Sequence, residues 1–163
     1  MVRLIFIFAA LAGFFVSASA RADQFTIDLV ARTAKDSTKA EAAYPAPQAK
    51  PSARAVLTAG ADSPIVVKWT VRNLEAGATV KDVLVHFFVV KQDKPDQQEV
   101  PKLTTNVVVE SALTMDFRPQ DKTGGEITFT VANPGSYLIR MELKGVAGKD
   151  GREPFAALDL SAR

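Results

Sequence analysis

Two apolar runs on either side of an Asn-Pro-Gly corner constrain this chain more than any other part of its sequence. The stretch from Gly125 to Leu143 reads G-E-I-T-F-T-V-A-N-P-G-S-Y-L-I-R-M-E-L. Its apolar residues alternate on both sides of the corner: Ile127, Phe129 and Val131 come before it, and Tyr137, Ile139, Met141 and Leu143 come after it. A period of two is typical of a half-buried β-strand, and Pro and Gly mark a turn. The stretch therefore predicts a hairpin of two strands.

Similar strand patterns recur along the rest of the chain. They cover Gln24 to Arg32, Arg54 to Ala59, Ile65 to Asn73, Val80 to Lys91, Thr104 to Phe117 (one strand or two) and Phe155 to Leu160. With the hairpin, they amount to about seven to nine short strands without a long helix. This pattern predicts an all-β, antiparallel sandwich, formed as a single domain by residues 23–163. The segment Thr33 to Ala53 is rich in Pro and Ala and predicts a surface loop or linker.

The first 22 residues have the pattern of a secretory signal peptide. Arg3 is followed by an apolar run from Leu4 to Val16 and then by small residues that allow cleavage after Ala20 or Ala22. The apolar run is too short for a membrane-spanning helix, so we expect no stable membrane insertion after cleavage. The sequence therefore predicts an exported protein, periplasmic or extracellular.

Charge and cysteine content exclude several classes of function. Cleavage after Ala22 would remove two of the 20 basic residues and none of the 18 acidic ones, which leaves a neutral protein without a basic cluster. We therefore expect no nucleic-acid partner. The chain contains no cysteine, which excludes disulfides and thiol chemistry.

The sequence offers little from which to build an active site. His86 is the only histidine, it lies in an apolar run, and no nucleophile motif of the form G-x-S-x-G is present. We expect His86 to be a buried or half-buried structural residue, and we expect no catalytic residue and no cofactor. A weaker alternative is a copper or other metal site that joins His86 to Met115 and Met141. Tyr44 and Trp69 are the aromatic candidates for a carbohydrate-binding module, but Trp69 lies in an apolar strand that suits the core.

The corner resembles that of bacterial immunoglobulin-like and fibronectin type III-like modules. In those domains an acidic or amide residue and a small residue precede a Tyr whose hydroxyl bonds back to the backbone of the corner. The resemblance assigns these positions to Asn133, Gly135 and Tyr137, and it implies an immunoglobulin-like β-sandwich. Ile139 stands where antibody domains carry a Cys, so the resemblance is to the disulfide-free form.

The run from Val80 to Lys91 is apolar on both faces, which is unusual for an antiparallel sheet with one solvated side. One face carries Val83, Val85, Phe87 and Val89, and the other carries Leu84, His86, Phe88 and Val90. If the segment Thr33 to Ala53 does not cover the second face, that face forms an exposed apolar patch of the kind that binds partners. We therefore expect a non-enzymatic protein-binding or structural accessory module, whose partner is another exported protein or a second copy of itself.

Overall fold

The structure is a computed structural model that describes residues 23–35, 38–46 and 53–163. The predicted signal peptide, residues 1–22, lies outside the described residues. Within the described residues no helix is long and apolar enough to cross a membrane. In chain order the elements are β1 (Phe25–Thr33), β2 (Lys39–Tyr44), β3 (Val56–Ala59), β4 (Ile65–Asn73), β5 (Val80–Gln92), α1 (Leu103–Asn106), β6 (Val107–Phe117), β7 (Lys122–Phe129), β8 (Gly135–Lys144) and β9 (Phe155–Ala162).

The protein is all-β, and its strands form two sheets. One sheet has four strands in the order β2-β1-β4-β7, and the other has five in the order β3-β9-β8-β5-β6. A single cluster of buried apolar side chains draws on both sheets, as expected of a β-sandwich. All strand pairs are antiparallel except β3 with β9, which is parallel and corrects the prediction of a purely antiparallel arrangement.

The alternation in β1 and β4 explains why these strands pair and where they point. Ile27 of β1 lies opposite Val71 of β4, and Leu29 lies opposite Trp69. All of these side chains except Trp69 are fully buried. The residues between them, such as Asp28 and Lys68, are exposed. A shift of the register by one residue would turn the charged set toward the core, so the alternation specifies the pairing.

Two local predictions need correction. Lys39–Tyr44 is a strand at the edge of the four-stranded sheet, although it lies in the segment predicted as a loop or linker. The alternation of K-A-E-A-A-Y is weak because two of the three residues on its core-facing side, Ala40 and Ala42, are small. The region Thr104 to Phe117 begins in the helical turn α1, which was not predicted, and continues as a single strand, β6, which confirms the alternative of one strand.

The Asn-Pro-Gly corner joins the two sheets, so the predicted hairpin is wrong. β7 pairs with β4 in the four-stranded sheet, whereas β8 pairs with β5 and β9 in the five-stranded sheet. The alternation predicts both strands correctly, but it does not show which sheet a strand enters. Gly135 has a φ of +145°, a conformation that side-chain-bearing residues rarely adopt.

Tyr137 stabilises the connection from β7 to β8 that joins the two sheets. Its side chain is buried, and its hydroxyl donates a 2.6 Å hydrogen bond to the carbonyl oxygen of Asn133. This is the contact that the resemblance implied for the corner. Burial raises the pKa of the Tyr137 hydroxyl, so the group stays protonated and able to donate over the ordinary pH range.

Tyr137→Phe should lower the free energy of unfolding by about 1 kcal/mol, because it removes one hydrogen bond and keeps the packed ring. Urea denaturation of both proteins measures this difference. Equal stability of the two proteins would show that the hydroxyl contributes nothing to the crossing.

Candidate functional site

The face predicted to bind a partner is not an exposed patch. Phe88 is only 1% exposed, Val90 is fully buried and His86 is 5% exposed, while Leu84 is half-buried. The partner-binding role assigned to these four residues rested on their exposure, so the structure removes its basis. The strand β5 is indeed buried on both faces, as its sequence indicated.

The chain itself covers this face, and among the described residues the cover comes from α1, β8 and β9 and not from the segment Thr33 to Ala53. Phe88 and Val90 form a small apolar cluster with Leu138 of β8, and Leu103 of α1 and Ala157 of β9 pack against it. The connection from β5 to β6 thus folds back over the sheet through α1. The strand formed by Lys39–Tyr44 belongs to the opposite sheet.

Toward the other end of this face, His86 lies between two carboxylates. Its Nδ1 is 3.0 Å from Oε1 of Glu142 on β8, and its Nε2 is 2.9 Å from Oε1 of Glu110 on β6. An ionised carboxylate only accepts hydrogen bonds, so a ring protonated on both nitrogens can donate to both carboxylates, and a neutral ring to only one. The ring also packs against Phe88, with 5.1 Å between centroids. The burial expected of His86 is observed, but its surroundings are ionic as well as apolar.

Glu142 is the centre of this ionic group, which also includes Arg140 and Lys144 from the same strand. Arg140 Nε is 2.8 Å from Oε2 of Glu142, and Lys144 Nζ is 3.1 Å from Oε1. Burial opposes ionisation of Glu142, but the hydrogen bond from His86 and the charges of Arg140 and Lys144 outweigh it and lower the pKa of the carboxyl. Arg140 also stacks on the ring of Phe155, 3.9 Å from its centroid.

Neither ring nitrogen of His86 is without a hydrogen-bond partner. Both of its ring nitrogens are bonded to carboxylates of the same sheet, and the ring is buried. Met115 and Met141 pair with Val83 and Phe87, which point into the core, so they lie on the opposite face of the sheet from His86. The described residues contain no group of three or more His, Cys, Asp or Glu side chains placed to hold a metal ion.

Stability should fall on acidification because Glu142 must be protonated. A carboxyl with a lowered folded pKa contributes stability fully above the ordinary glutamate value of about 4.3 and loses it as the pH falls through the folded value. We expect Glu142→Gln to unfold at a urea midpoint that depends less on pH between 3 and 5 than that of the wild type. Glu99→Gln, in an exposed loop, is the matched control and should leave the dependence unchanged. If the urea midpoint of Glu142→Gln depended on pH as strongly as that of the wild type, the lowered pKa assigned to Glu142 would be contradicted.

A second buried ionic group fastens the loop that follows β5. Asp159 of β9 is 1% exposed, and its carboxylate accepts hydrogen bonds from Arg54 Nε at 2.9 Å, Gln92 Nε2 at 2.9 Å and the Asp96 backbone N–H at 2.7 Å. The guanidinium of Arg54 donates in turn to the carbonyl oxygen of Gln97. These contacts hold the start of the β5–β6 connection against the sheet that α1 then crosses.

Asp159→Ala should destabilise the protein by about 3 kcal/mol, because it leaves the partly buried charge of Arg54 without its partner. Asp28→Ala, an exposed aspartate on β1, should change stability by no more than about 0.5 kcal/mol. Chemical denaturation compares the two variants. A loss for Asp159→Ala as small as that of the control would show that the pair does not fasten the loop.

The aromatic candidates for carbohydrate binding are engaged within the protein. Tyr44 is partly buried, and its hydroxyl donates a 2.6 Å hydrogen bond to Asp23. Trp69 packs against the core, and its ring lies close to Gly125 of β7, where an added Cβ would approach ring atoms to 3.1 Å. Glycine at this position gives the indole room, so Trp69 serves the core as its sequence context indicated.

The strand with the largest share of exposed residues is the edge strand β6, which sequence analysis did not single out. The two sheets end in four edge strands: β2 and β7 in one, β3 and β6 in the other. Edge strands of soluble proteins usually carry charges, prolines or glycines, or are very short, because their free N–H and C=O groups can pair with another chain. β2 carries Lys39 and Glu41 and precedes Pro45, β7 carries Lys122, Glu126 and two glycines, and β3 has four residues.

The 11 residues of β6 include no Lys, Arg, Pro or Gly, and its only charged residues are Glu110 and Asp116. Its two acidic side chains are both occupied within the protein. Glu110 bonds to His86, and Asp116 accepts a 3.0 Å hydrogen bond from the backbone N–H of Asp82. A bulge relative to β5 interrupts the strand near Val107, but it runs regularly from Val109 to Met115.

Apolar side chains are also exposed along this edge. Leu113 is 54% exposed, the largest exposure among the large apolar side chains of the described residues. It lies opposite Val85, a core residue of β5, and cross-strand neighbours share a face, so Leu113 continues the core-facing row beyond the covered part of the sheet. Val107 and Val108 are also exposed.

Two comparisons of the chain with known proteins found no match. No protein-family model matches the chain, and no curated protein matches it.

Proposed function

We propose that this chain is an exported, non-enzymatic module that binds a further polypeptide chain, either another exported protein or a second copy of itself, by strand addition at the β6 edge. The main support for this proposal is that, of the four edge strands in the described structure, only β6 is long and lacks Lys, Arg, Pro and Gly. In strand addition an extended segment pairs with an open sheet edge, and its main chain supplies much of the affinity. The β6 edge offers a regular stretch for such pairing from Val109 to Met115.

Side chains on the two faces of β6 would supply the specificity. Val109, Leu113 and Met115 face the same side as the core, and a partner strand would extend this row with its own apolar residues. Glu110, Ala112 and Thr114 lie on the outer side, next to Phe88, His86 and Leu84 of β5. A partner strand with alternating apolar and polar residues fits both rows.

Three further parts of the proposal rest on other observations. Export is supported by the leader pattern of residues 1–22, which includes the short apolar run and the small residues before Ala22. An immunoglobulin-like class of sandwich is supported by the crossing at Asn133, where the Tyr137 hydroxyl bonds to the backbone. The absence of enzymatic activity is supported by the single histidine, which is bonded to two carboxylates.

Site-specific photo-crosslinking in cells that produce the full chain tests the binding edge. A photoreactive phenylalanine analogue at position 113 should give a discrete crosslinked protein species. The same analogue at Thr128, an exposed position on the edge strand β7, is the matched control and should give none. Irradiation followed by immunoblotting measures both.

The crosslink should also disappear when pairing is blocked in the same strand. Thr114→Pro removes a backbone N–H from β6, and the crosslink at 113 should be lost if strand addition forms it. Circular dichroism checks that this variant still folds; if it does not, Ala112→Lys, which adds a charge to the edge, takes its place. No discrete adduct from position 113, or equal adducts from 113 and 128, would overturn the proposal.

A further inference from the structure

We propose that the partner at β6 is a second copy of this chain, paired antiparallel about a two-fold axis through Ala112 to form one continuous ten-stranded sheet. This inference rests on the proposed function, because it names the occupant of the same edge. A two-fold axis perpendicular to the sheet keeps the core-facing rows of both copies on one side, so each row meets its own counterpart.

The sequence of β6 is self-complementary in this register. Val109 lies opposite Met115 of the second copy, and Ser111 lies opposite Leu113, all on the core-facing side. On the outer side, Glu110 lies opposite Thr114, and Ala112 lies opposite itself. No two like charges face each other directly, and the small side chain of Ala112 leaves room on the axis.

Neighbouring registers are less favourable. An axis through Leu113 would set Glu110 directly opposite Asp116 of the second copy, and like charges in this position are destabilising. An axis through Ser111 would bring the bulged residues Val107 and Val108 into the paired stretch. The axis through Ala112 uses only the stretch from Val109 to Met115, between the two irregularities in the β5–β6 pairing.

This register also places the most exposed apolar side chain where pairing covers it. The diagonal neighbours of Leu113 across the axis are Leu113 and Val109 of the second copy, within reach of such side chains. Glu110 keeps its bond to His86 in each copy, because that bond runs back over the protein's own sheet. Pairing therefore requires no existing ion pair of the strand to break.

Light scattering and sedimentation of the purified protein over a range of concentrations test the inference. We expect a dimer that Leu113→Lys converts to a monomer, since it sets two lysines across the axis. Val56→Lys, at a 51% exposed residue of the β3 edge, is the matched control and should remain a dimer. Mixing Leu113→Lys with Leu113→Glu should restore a dimer that contains one of each, which keeps the test valid if the lysine variant alone is impaired.

A single introduced cysteine tests the register, because the chain has no cysteine of its own. Opposed residues of antiparallel strands have Cα atoms about 4.5–5.5 Å apart, within the range of a disulfide. Ala112→Cys should therefore form a covalent dimer under mild oxidation. Thr114→Cys should form it at least about tenfold more slowly, because the two Thr114 positions lie about 13 Å apart at roughly 3.3 Å per residue.

The outcomes separate this inference from the proposed function. A protein that stays monomeric at millimolar concentration, or a dimer unaffected by Leu113→Lys, overturns self-pairing. So does equal crosslinking of the two cysteine variants. If self-pairing fails while position 113 still crosslinks to a different protein in cells, the β6 edge remains the binding site and only the identity of its occupant is wrong.

Discussion

The burial of β5 on both faces is the constraint on which the rest of the structure depends. A strand with Val83, Val85, Phe87 and Val89 on one side and His86, Phe88 and Val90 on the other must be covered twice. The four-stranded sheet covers the first side. The second side is covered by α1, by side chains of β8 and β9, and by the ionic group around Glu142. The long β5–β6 connection and the Asp159 contacts that fasten it are consequences of that need.

Because the chain's own segments cover the outer face, the surface that we propose for binding lies elsewhere. An apolar strand in mid-sheet would attract a partner only if its face were open, and here that face is closed. The outer edge of β6 remains open, because β6 is the last strand of its sheet and pairs only with β5. The acidic residues of this edge strand, Glu110 and Asp116, form contacts within the protein.

Much of the fold could be predicted from the sequence because alternation is a local property. The strands β1, β4 and β5 follow directly from residues such as Ile27, Val67 and Phe87, and the Tyr137 contact follows from the short motif around Asn133. Alternation cannot show that β7 and β8 lie in different sheets, because both sides of the corner have the same period. The strand β2 was missed because its buried-side residue, Ala40, is too small to give a clear pattern.

The candidate site was harder to predict, because it depends on which strands become neighbours. Glu110 and Glu142 are 24 and 56 residues from His86 in sequence, and only the order β8-β5-β6 brings them to its ring. The openness of β6 is likewise a property of sheet order. One signal was present in the sequence: the 11-residue strand from Val107 to Phe117 contains no Lys, Arg, Pro or Gly.

Residue-resolved amide hydrogen exchange of the folded protein, followed as its concentration is raised, tests most directly that β6 is an open pairing edge. In dilute solution, alternate amides between Val109 and Met115 should exchange rapidly because their N–H groups point away from β5. They should become protected at high concentration, while the edge amides of β2 and β7 stay unchanged. Uniform protection of β6 in dilute solution, or concentration-dependent protection at β2 or β7 instead, would contradict the account.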